Sequence, residues 1–324
     1  MKIKILTIMG IAAAIAGCAT SSDTPSAKPA SASPSGNAGC AQPAATTSAT
    51  PAAKEKAKPK KARKCGCEAC TCATPCSCGT APNTLSKYEV ADGWKLLWDG
   101  KTSAGWVGEK SGCKTFPTRG WTMKDGILTV HPSNRVYDNG KWRKTTPAEA
   151  KLGGGGDIVT EKEYKDFILK LDFMLTPGAN SGIKYFYRNG WNGNTCPEYQ
   201  ILHHLHSDHN PRKENGAKGS HRVASLYELK AANAEKIVKP AGEWNTAMIV
   251  AKKNMVQHWL NGKKVLEYKR GSEEFRKAVA NSKYIKNQKN GPWGELESGR
   301  IKLQDHSDST VHFRNIKIKE MHLK

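Results

Sequence analysis

The sequence predicts an all-β fold, a sandwich of antiparallel strands, and three observations favour it. From about Leu85 onward, aromatic and aliphatic residues are punctuated by glycine, over a length that suits one sandwich domain. Short apolar runs recur there, and turn signals bound each of them. One convincing helix is predicted, from Ser272 as its N-cap to Ala280. Many short strands with a single short helix are typical of a sandwich.

Turn dipeptides separate the predicted strands. Asp125-Gly126 and Asn261-Gly262 lie between alternating runs and predict tight hairpins. Alternation also assigns faces, because Ile183 and Tyr185 share one side of their strand while Lys184 lies on the other. The predicted strands are residues 94–98, 121–130, 167–175, 182–187, 198–202, 246–251, 255–260, 300–304 and 311–319.

Residues 1–18 predict the signal peptide of an exported lipoprotein. Lys2 and Lys4 precede the apolar run 5–15, which is shorter than the roughly 20 residues that a finished membrane-spanning helix needs. Ile15-Ala-Gly-Cys18 resembles a lipobox, whose cysteine is lipidated and becomes the new N-terminus. An ordinary signal peptide cut nearby is the alternative. We expect a cell-envelope protein, lipid-anchored at Cys18 and either periplasmic or on the outer-membrane surface.

Residues 19–64 predict a disordered tether. They are almost entirely Ala, Ser, Thr, Pro, Gly and Lys, which offer too little apolar surface to offset the entropy of ordering. The basic stretch 54–64 either contacts anionic headgroups or serves as a solvated spacer.

The chain carries a net charge of +22, and the charge is unevenly placed. Residues 1–64 hold ten Lys/Arg against Asp23 and Glu55, a net +8, which leaves +14 on the rest. So basic a chain raises the question of nucleic-acid binding. An exported chain without a nucleic-acid motif excludes that class, and an anionic envelope or polysaccharide partner fits better.

A cysteine-rich segment, residues 65–79, follows the tether. Thiolates this dense predict a Cu or Zn site, and disulfide pairing in an oxidising compartment is the alternative. Cys113 and Cys196, inside the folded region, could form one bridge. The six clustered cysteines are Cys65, Cys67, Cys70, Cys72, Cys76 and Cys78.

Polar side chains on otherwise apolar strands are the first candidates for a site. Glu198, Gln200 and Lys184 provide the donors, acceptors and charges that a sugar site requires. Tyr227 and Trp244 offer flat faces on which a pyranose ring can pack, and a core position is the alternative for Trp244. For Trp259, a core position is the prediction.

Histidines are concentrated after the strand 198–202. Neutral imidazoles near a carboxylate can bind a divalent metal, and solvated loop histidines are the alternative. The predicted metal ligands are His203, His204, His206 and Asp208.

The strand near the C-terminus ends in Asp305 and His306. An Asp beside a His can orient the imidazole as a general base, so both are predicted to be catalytic. Arg314 is a further candidate for substrate binding, although a structural ion pair with a carboxylate is the more usual role of an arginine in a strand.

Ten stretches in order carry a resemblance to a known family. They are Trp94–Lys101 with Gly105-Trp106, Trp121–Leu128, Tyr164–Phe167, Ala179–Ile183, Glu198–Leu202, Ser225–Tyr227, Gly242–Asn245, His258–Gly262, Leu303–His306 and Phe313–Ile316. From about Gly93 to Met321 the chain resembles the 3-keto-disaccharide hydrolases, also described as 3-keto-glucoside-1,2-lyases. The resemblance implies a concanavalin-like jelly roll over residues 85–324, which agrees with the strand pattern. Family members usually carry an acidic pair where this chain has His203 and His204. If those acids bind metal or transfer protons in the family, the resemblance implies altered chemistry, or none, for this chain.

The resemblance implies cleavage of 3-keto-glycosides by deprotonation next to the ketone, elimination of the aglycone and hydration. His306, oriented by Asp305, or Glu198 would then be the base. Lys184, or a metal near His203, would stabilise the enolate. Asn180, Gln200 and Gln304 would position hydroxyl groups. Two alternatives are a non-catalytic carbohydrate-binding lipoprotein module and a lipoprotein that binds metal through its clustered cysteines.

Overall fold

The computed structural model describes residues 81–209 and 216–321. The signal peptide with Cys18, the tether and the cysteine-rich segment lie outside these residues, so those predictions stay predictions. No helix in the described part of the chain is long and apolar enough to cross a membrane.

The described chain forms antiparallel sheets, which confirms the all-β prediction. In chain order the strands are β1 (Trp94–Leu96), β2 (Trp106–Gly108), β3 (Trp121–Lys124), β4 (Ile127–Val130), β5 (Arg135–Asp138), β6 (Lys141–Lys144), β7 (Ile158–Tyr164), β8 (Phe167–Leu175), β9 (Asn180–Tyr187), β10 (Glu198–Leu202), β11 (Trp244–Lys252), β12 (Met255–Leu260), β13 (Lys263–Lys269), β14 (Gly299–Leu303) and β15 (Val311–Glu320).

Two large sheets build the sandwich. The eight-stranded sheet has the order β13-β12-β11-β8-β15-β4-β3, with β1 also paired to β15. The five-stranded sheet has the order β10-β9-β14-β7-β2, and β5 pairs with β6 in a separate hairpin. Because β10 and β2 are the edges of the five-stranded sheet, loops at both edges can reach over its outer face.

Alternation places the core between the two large sheets. In β8, Phe167, Leu169 and Leu171 are buried while the residues between them are partly exposed. Ile183 and Tyr199 face this core from the five-stranded sheet. Full burial of such side chains stabilises the fold by about 1.5–3 kcal/mol each. The inward residues fix the register, so their neighbours Lys184, Glu198 and Gln200 lie on the outer face.

Three α-helices of the described residues stand outside the sheets: α1 (Lys87–Ala91), α2 (Pro147–Leu152) and α3 (Glu273–Ala280). The predicted helix is confirmed, since the Ser272 side chain accepts a hydrogen bond from the backbone N–H of Phe275. The two shorter helices were not predicted. Each is held by a capping box at its N-terminus, where Ser86 or Thr146 pairs with a glutamate three residues on.

Two sequence expectations within the sandwich are wrong. Trp259 lies on the partly exposed outer face of β12, because its neighbours His258 and Leu260 take the buried side. Cys113 and Cys196 are free thiols, and both pack with a small apolar group beside β7 that includes Val159.

Candidate active site

Buried charges lie on the outer face of the five-stranded sheet. Lys184 on β9 is the cross-strand partner of Glu198 on β10 and of Lys302 on β14. Glu198 is 5% exposed and Lys302 2%. Charged residues are almost never this buried unless they are paired, so the arrangement marks this face as a site.

Two acids from the β2–β7 side neutralise the lysines. The Lys302 Nζ lies 2.6 Å from Glu109 Oε2 and 3.0 Å from Asp157 Oδ2. The Lys184 Nζ lies 3.5 Å from the same Asp157 oxygen. Burial alone would raise the pKa of Asp157, but Lys184 and Lys302 hold it below its usual value. Burial would lower the pKa of Lys184, but neighbouring carboxylates raise it, so both groups stay charged near neutral pH.

The pKa of Glu198 shifts in the opposite direction from that of Asp157. Burial raises the pKa of its carboxyl group, although Lys184 opposes the shift. No side chain or backbone N–H in the described residues donates a hydrogen bond to that carboxyl group. It extends over Gly182, where a Cβ atom would lie 1.9 Å from Glu198 Oε1. The Glu198 carboxyl is therefore available, and the Lys184 ammonium lies across from it on the next strand.

Amide side chains continue this polar face toward the histidine loop. Gln200 Nε2 donates to Asn180 Oδ1 over 3.3 Å, and Asn180 Nδ2 donates to Asp208 Oδ2 over 3.5 Å. Gln304 follows β14, and its backbone carbonyl accepts from Ser181 Oγ. The structure thus brings the predicted amides Asn180 and Gln200 together beside Glu198.

Asp308, rather than Asp305, faces His306. Asp308 Oδ2 lies 3.8 Å from His306 Nδ1, and Arg135 Nη2 and His206 Nε2 contact the same oxygen at 2.7 and 3.0 Å. These partners hold the pKa of Asp308 well below its usual range. His306 Nδ1 is buried without a hydrogen bond to the described residues, and burial lowers the pKa of the imidazole.

The prediction that Asp305 orients His306 is therefore wrong. The Asp305 Oδ2 accepts a hydrogen bond from the backbone N–H of Gly156, 2.6 Å away. Burial, and then the charge of Asp157, raise the pKa of Asp305 to about 6. The two side chains thus have different partners although they are neighbours in the sequence.

The predicted metal ligands are only partly brought together. Donor atoms of His206, Asp208 and His306 lie within 4.8 Å of one another. His203 is not in this group, because its Nδ1 accepts from the backbone N–H groups of Gly178 and Leu205 and burial lowers its pKa to about 4. His204, also predicted as a ligand, is exposed and packs against His203.

A second buried group borders the site and was missed by the sequence reasoning. His221 Nε2 lies 2.9 Å from Glu228 Oε1, and Lys283 Nζ lies 3.5 Å from the same oxygen. The Tyr227 ring stacks on His221 and lies under the Lys283 cation. Burial, and then the charge of Glu198, raise the pKa of Tyr227, so the predicted Tyr227 stands between Glu198 and this group.

Lys302 and Asp308 were also missed. Lys302 lies between Ile301 and Leu303, the same alternation that singled out Lys184, so its strand carried a usable signal. Asp308 carried no such sequence signal, because its partner Arg135 is distant in sequence.

Trp244 and Arg314 are not part of this site. The Arg314 guanidinium lies 4.0 Å from the Trp244 ring and pairs with Asp172 on β8. Asp172 alternates with core residues of the eight-stranded sheet, so all three lie on that sheet's outer face. The expected structural pairing of Arg314 is confirmed, and the substrate-binding expectation for Trp244 and Arg314 is not supported by their position.

The fold and site define a jelly-roll protein of the carbohydrate-active class, with its polar site on one face of the sandwich. The chain belongs to the family described as 3-keto-alpha-glucoside-1,2-lyase-like domains, whose model matches residues 93–319. The family resemblance is thereby confirmed, and the chain is an enzyme of this family.

Relatives agree with the assignment. The chain is 32% identical to a 3-keto-disaccharide hydrolase of Bacteroides thetaiotaomicron over 248 residues, which is 71% of this chain and 79% of the relative. It is similar to a crystal structure of a Parabacteroides distasonis protein named provisionally as a glycosyl hydrolase, with 28% identity, a TM-score of 0.58, and coverage of 75% of this chain and all of that one. A second such structure from that organism has 27% identity and a TM-score of 0.47, covering 70% and 99% of the two chains.

Proposed function

We propose that the chain cleaves 3-keto-glycosides by elimination followed by hydration. A ketone at carbon 3 makes the hydrogen on carbon 2 acidic, so a base can remove it and leave an enolate. The enolate expels the leaving group from carbon 1, and water then adds to the unsaturated ketone, returning a proton to carbon 2. The net reaction is hydrolysis, and it needs a base, an acid for the leaving group and a cation near the enolate oxygen.

The opposite pKa shifts of two buried groups support separate roles for them. Burial lowers the pKa of His306, so its imidazole is neutral near pH 7 and can accept a proton. Asp308, 3.8 Å from His306 Nδ1, favours the tautomer with the proton on Nδ1 and leaves the Nε2 lone pair as the base. Burial raises the pKa of Glu198, which suits a donor to the leaving oxygen.

Lys184 would stabilise the enolate. Its side chain is 15% exposed, pairs with Asp157 over 3.5 Å and lies across from Glu198, and a charge largely removed from water interacts with a developing anion more strongly than one in water. The single observation that carries the proposal is this cross-strand pair, a buried Glu198 carboxyl that receives no hydrogen bond from the described residues, across from the Lys184 ammonium. Asn180 and Gln200 lie on the same face and would orient hydroxyl groups.

A divalent metal fits the group His206, Asp208 and His306 only in part. Both ring nitrogens of His206 are already used, since Nδ1 accepts from the Asp208 backbone N–H at 3.0 Å and Nε2 contacts Asp308. That leaves His306 and the Asp208 carboxylate as available ligands, fewer than the three or four protein ligands usual for zinc. We therefore derive no step through a metal.

Turnover of an oxidised and an unoxidised sugar tests the proposal. The full chain would be incubated with the 3-keto-glucoside of 4-nitrophenol and with the ordinary glucoside, and release above the rate in buffer would be followed. We expect release from the keto sugar alone. Glu198→Gln and His306→Ala should each slow it by about 100- to 10,000-fold, while Glu235→Gln, at an exposed surface pair, should not. Full turnover in both site variants would refute the roles assigned to them.

We also propose, independently of the reaction, that the enzyme is in the cell envelope and is held there by lipid on Cys18. The support is the sequence of the first 18 residues, with its basic start, short apolar run and lipobox-like end. In cell fractionation, Cys18→Ala should move the protein from the membrane to the soluble fraction. An unchanged membrane fraction would contradict the anchor and leave the catalytic proposal intact.

A further inference from the structure

A cavity lies beside the edge strand β2, and the catalytic roles proposed above do not use it. It is open to solvent and has a volume of about 340 Å³, within the volume range of small-ligand sites. We call it the basic cavity. It is lined by Gly108, Lys110, Ser111, Thr115, Phe116, Pro117, Thr118, Arg119, Gly154 and Gly155.

The basic cavity has two cations and no acid among the described residues that line it. The Lys110 Nζ donates to the backbone carbonyl of Gly154 over 2.9 Å. In residues 81–209 and 216–321, neither Lys110 nor Arg119 forms an ion pair. Phe116 adds an apolar surface. The charges of both cations act on Asp305, whose pKa they tend to lower, but no carboxylate of the described residues lines the cavity. Two cations beside an aromatic wall suit a ring that carries a negative charge.

The basic cavity shares a backbone segment with the active site. The backbone N–H of Gly156 donates to Asp305, and the next residue, Asp157, pairs with Lys184 and Lys302. The neighbouring segment makes a similar link, because Glu109 contacts Lys302 and the next residue, Lys110, lines the cavity. A substrate whose keto sugar contacts Lys184 could therefore extend its leaving group into the cavity.

The glycine run 153–156 allows the cavity walls to approach closely. A Cβ atom at Gly155 would lie 1.9 Å from the backbone oxygen of Arg119, and one at Gly156 would lie 2.8 Å from the Lys110 side chain. Gly154 and Gly156 also have φ values of +78° and +91°, which favour glycine. The run therefore holds the segments that carry both cations against the active-site backbone.

We propose that the basic cavity is a leaving-group subsite that binds a carboxylate, so that the preferred substrates are 3-keto-glycosides with an acidic aglycone or acidic neighbouring sugar. The proposal rests on the function proposed above and specifies its substrate class. Arg119 would bind the carboxylate, since a guanidinium matches carboxylate geometry, and Lys110 would add a second charge. The net +14 outside residues 1–64 would also attract such substrates.

A matched pair of substrates tests it. The full chain would be assayed with the 3-keto-glucoside of 4-hydroxybenzoate and with that of its methyl ester, which differ by one charge. We expect a KM about tenfold lower for the carboxylate, the change that one charged hydrogen bond of about 1.4 kcal/mol would give. Arg119→Ala should remove this preference and leave the ester unaffected. A third substrate, from 4-hydroxybenzenesulfonate, distinguishes carboxylate binding from general anion attraction.

Lys114→Ala is the matched control, because Lys114 is exposed on the same loop but does not line the cavity. Equal KM values for acid and ester in the wild type would overturn the subsite, and so would equal losses in Arg119→Ala and Lys114→Ala. A sulfonate preferred over the carboxylate would overturn the choice of carboxylate.

Binding distinguishes failure of the subsite from failure of the proposed function. If neither keto substrate is cleaved, the catalytic proposal fails, and calorimetric titration of the unoxidised 4-hydroxybenzoate glucoside then tests the cavity. Binding that is lost in Arg119→Ala would support the subsite, and absence of binding by the wild type would overturn it.

Discussion

The carboxyl group of Glu198 occupies the space that a side chain at Gly182 would fill. The two residues lie on the neighbouring strands β10 and β9, and an added Cβ at Gly182 would lie 1.9 Å from Glu198 Oε1 and 2.7 Å from the carboxyl carbon. Glycine at this position lets the carboxyl lie flat over the sheet, where it is buried beside Lys184. A site of this kind depends on the absence of a side chain as much as on the acid itself.

Gly182→Ala should slow turnover strongly without removing any functional group. The new methyl must displace the Glu198 carboxyl, and overpacking of this kind typically costs about 1–3 kcal/mol of stability. We expect a loss of kcat close to that of Glu198→Gln, measured with the 4-nitrophenyl keto sugar. In the double variant Gly182→Ala with Glu198→Ala the clash is gone, so the free energy of unfolding should recover while activity does not. Normal kcat in the single variant would contradict the placement of Glu198.

The pH profile should report His306 as a base. The imidazole is the active form when neutral, that is, above its pKa, and burial moves this pKa below the usual 6.5. The acidic limb of kcat/KM should therefore lie below pH 6.5. Asp308→Asn removes the carboxylate that raises this pKa, so it should move the limb to lower pH and also lower the plateau, because the preferred tautomer is lost. An unmoved limb in Asp308→Asn would show that another group titrates.

Lys302 should be a structural requirement of the site. Its ammonium pairs with Glu109 and Asp157, and breaking a buried ion pair leaves uncompensated charge at a cost of about 3–5 kcal/mol. Lys302→Met should lower the urea midpoint accordingly. Adding Glu109→Gln to that variant removes one of the two carboxylates that lose their Lys302 partner, so it should recover part of the loss. If the single variant unfolds like the wild type, the paired charges contribute little.

Asp305 should make stability depend on pH with a predictable sign. Its folded-state pKa of about 6 exceeds the usual 3.8, so the stabilisation it provides is present below about pH 4 and is lost as pH rises through 6. Asp305→Asn should raise the free energy of unfolding at pH 7.5 by up to about 3 kcal/mol and change it little at pH 4. Asp125→Asn, in the exposed β3–β4 turn, controls for removal of a surface charge. A gain that is equal at both pH values would contradict the shift.

The sheet framework was predictable because alternation is a local property. The bounds of β8, β10 and β12 match the predicted strands, and the Asp125-Gly126 hairpin is confirmed. Strands without alternation were missed: β7 begins with three buried residues in a row, and the hairpin of β5 and β6 has no buried face. A core position was predicted for Trp259, but the register of β12 places His258 in the core instead.

Only the site residues that stand out within a single alternating strand were predictable from the sequence. Glu198, Gln200 and Lys184 were identified because each is polar on an apolar strand, and the structure places all three on one face. The partner of His306 was not identified, because the position of Asp308 is fixed by contacts with Arg135 and His206 that no local sequence pattern reveals. Adjacent positions suggested Asp305 instead, but its carboxylate accepts a hydrogen bond from the backbone N–H of Gly156.

Removal of the hydrogen on carbon 2 is the central chemical claim, and isotopic substitution there tests it most directly. Single-turnover release from a 3-keto-glucoside carrying hydrogen at carbon 2 would be compared with release from the same sugar carrying deuterium. The account predicts slower release from the deuterated sugar and none from the unoxidised glucoside. Equal rates, together with cleavage of the unoxidised glucoside, would contradict it and indicate direct displacement at carbon 1.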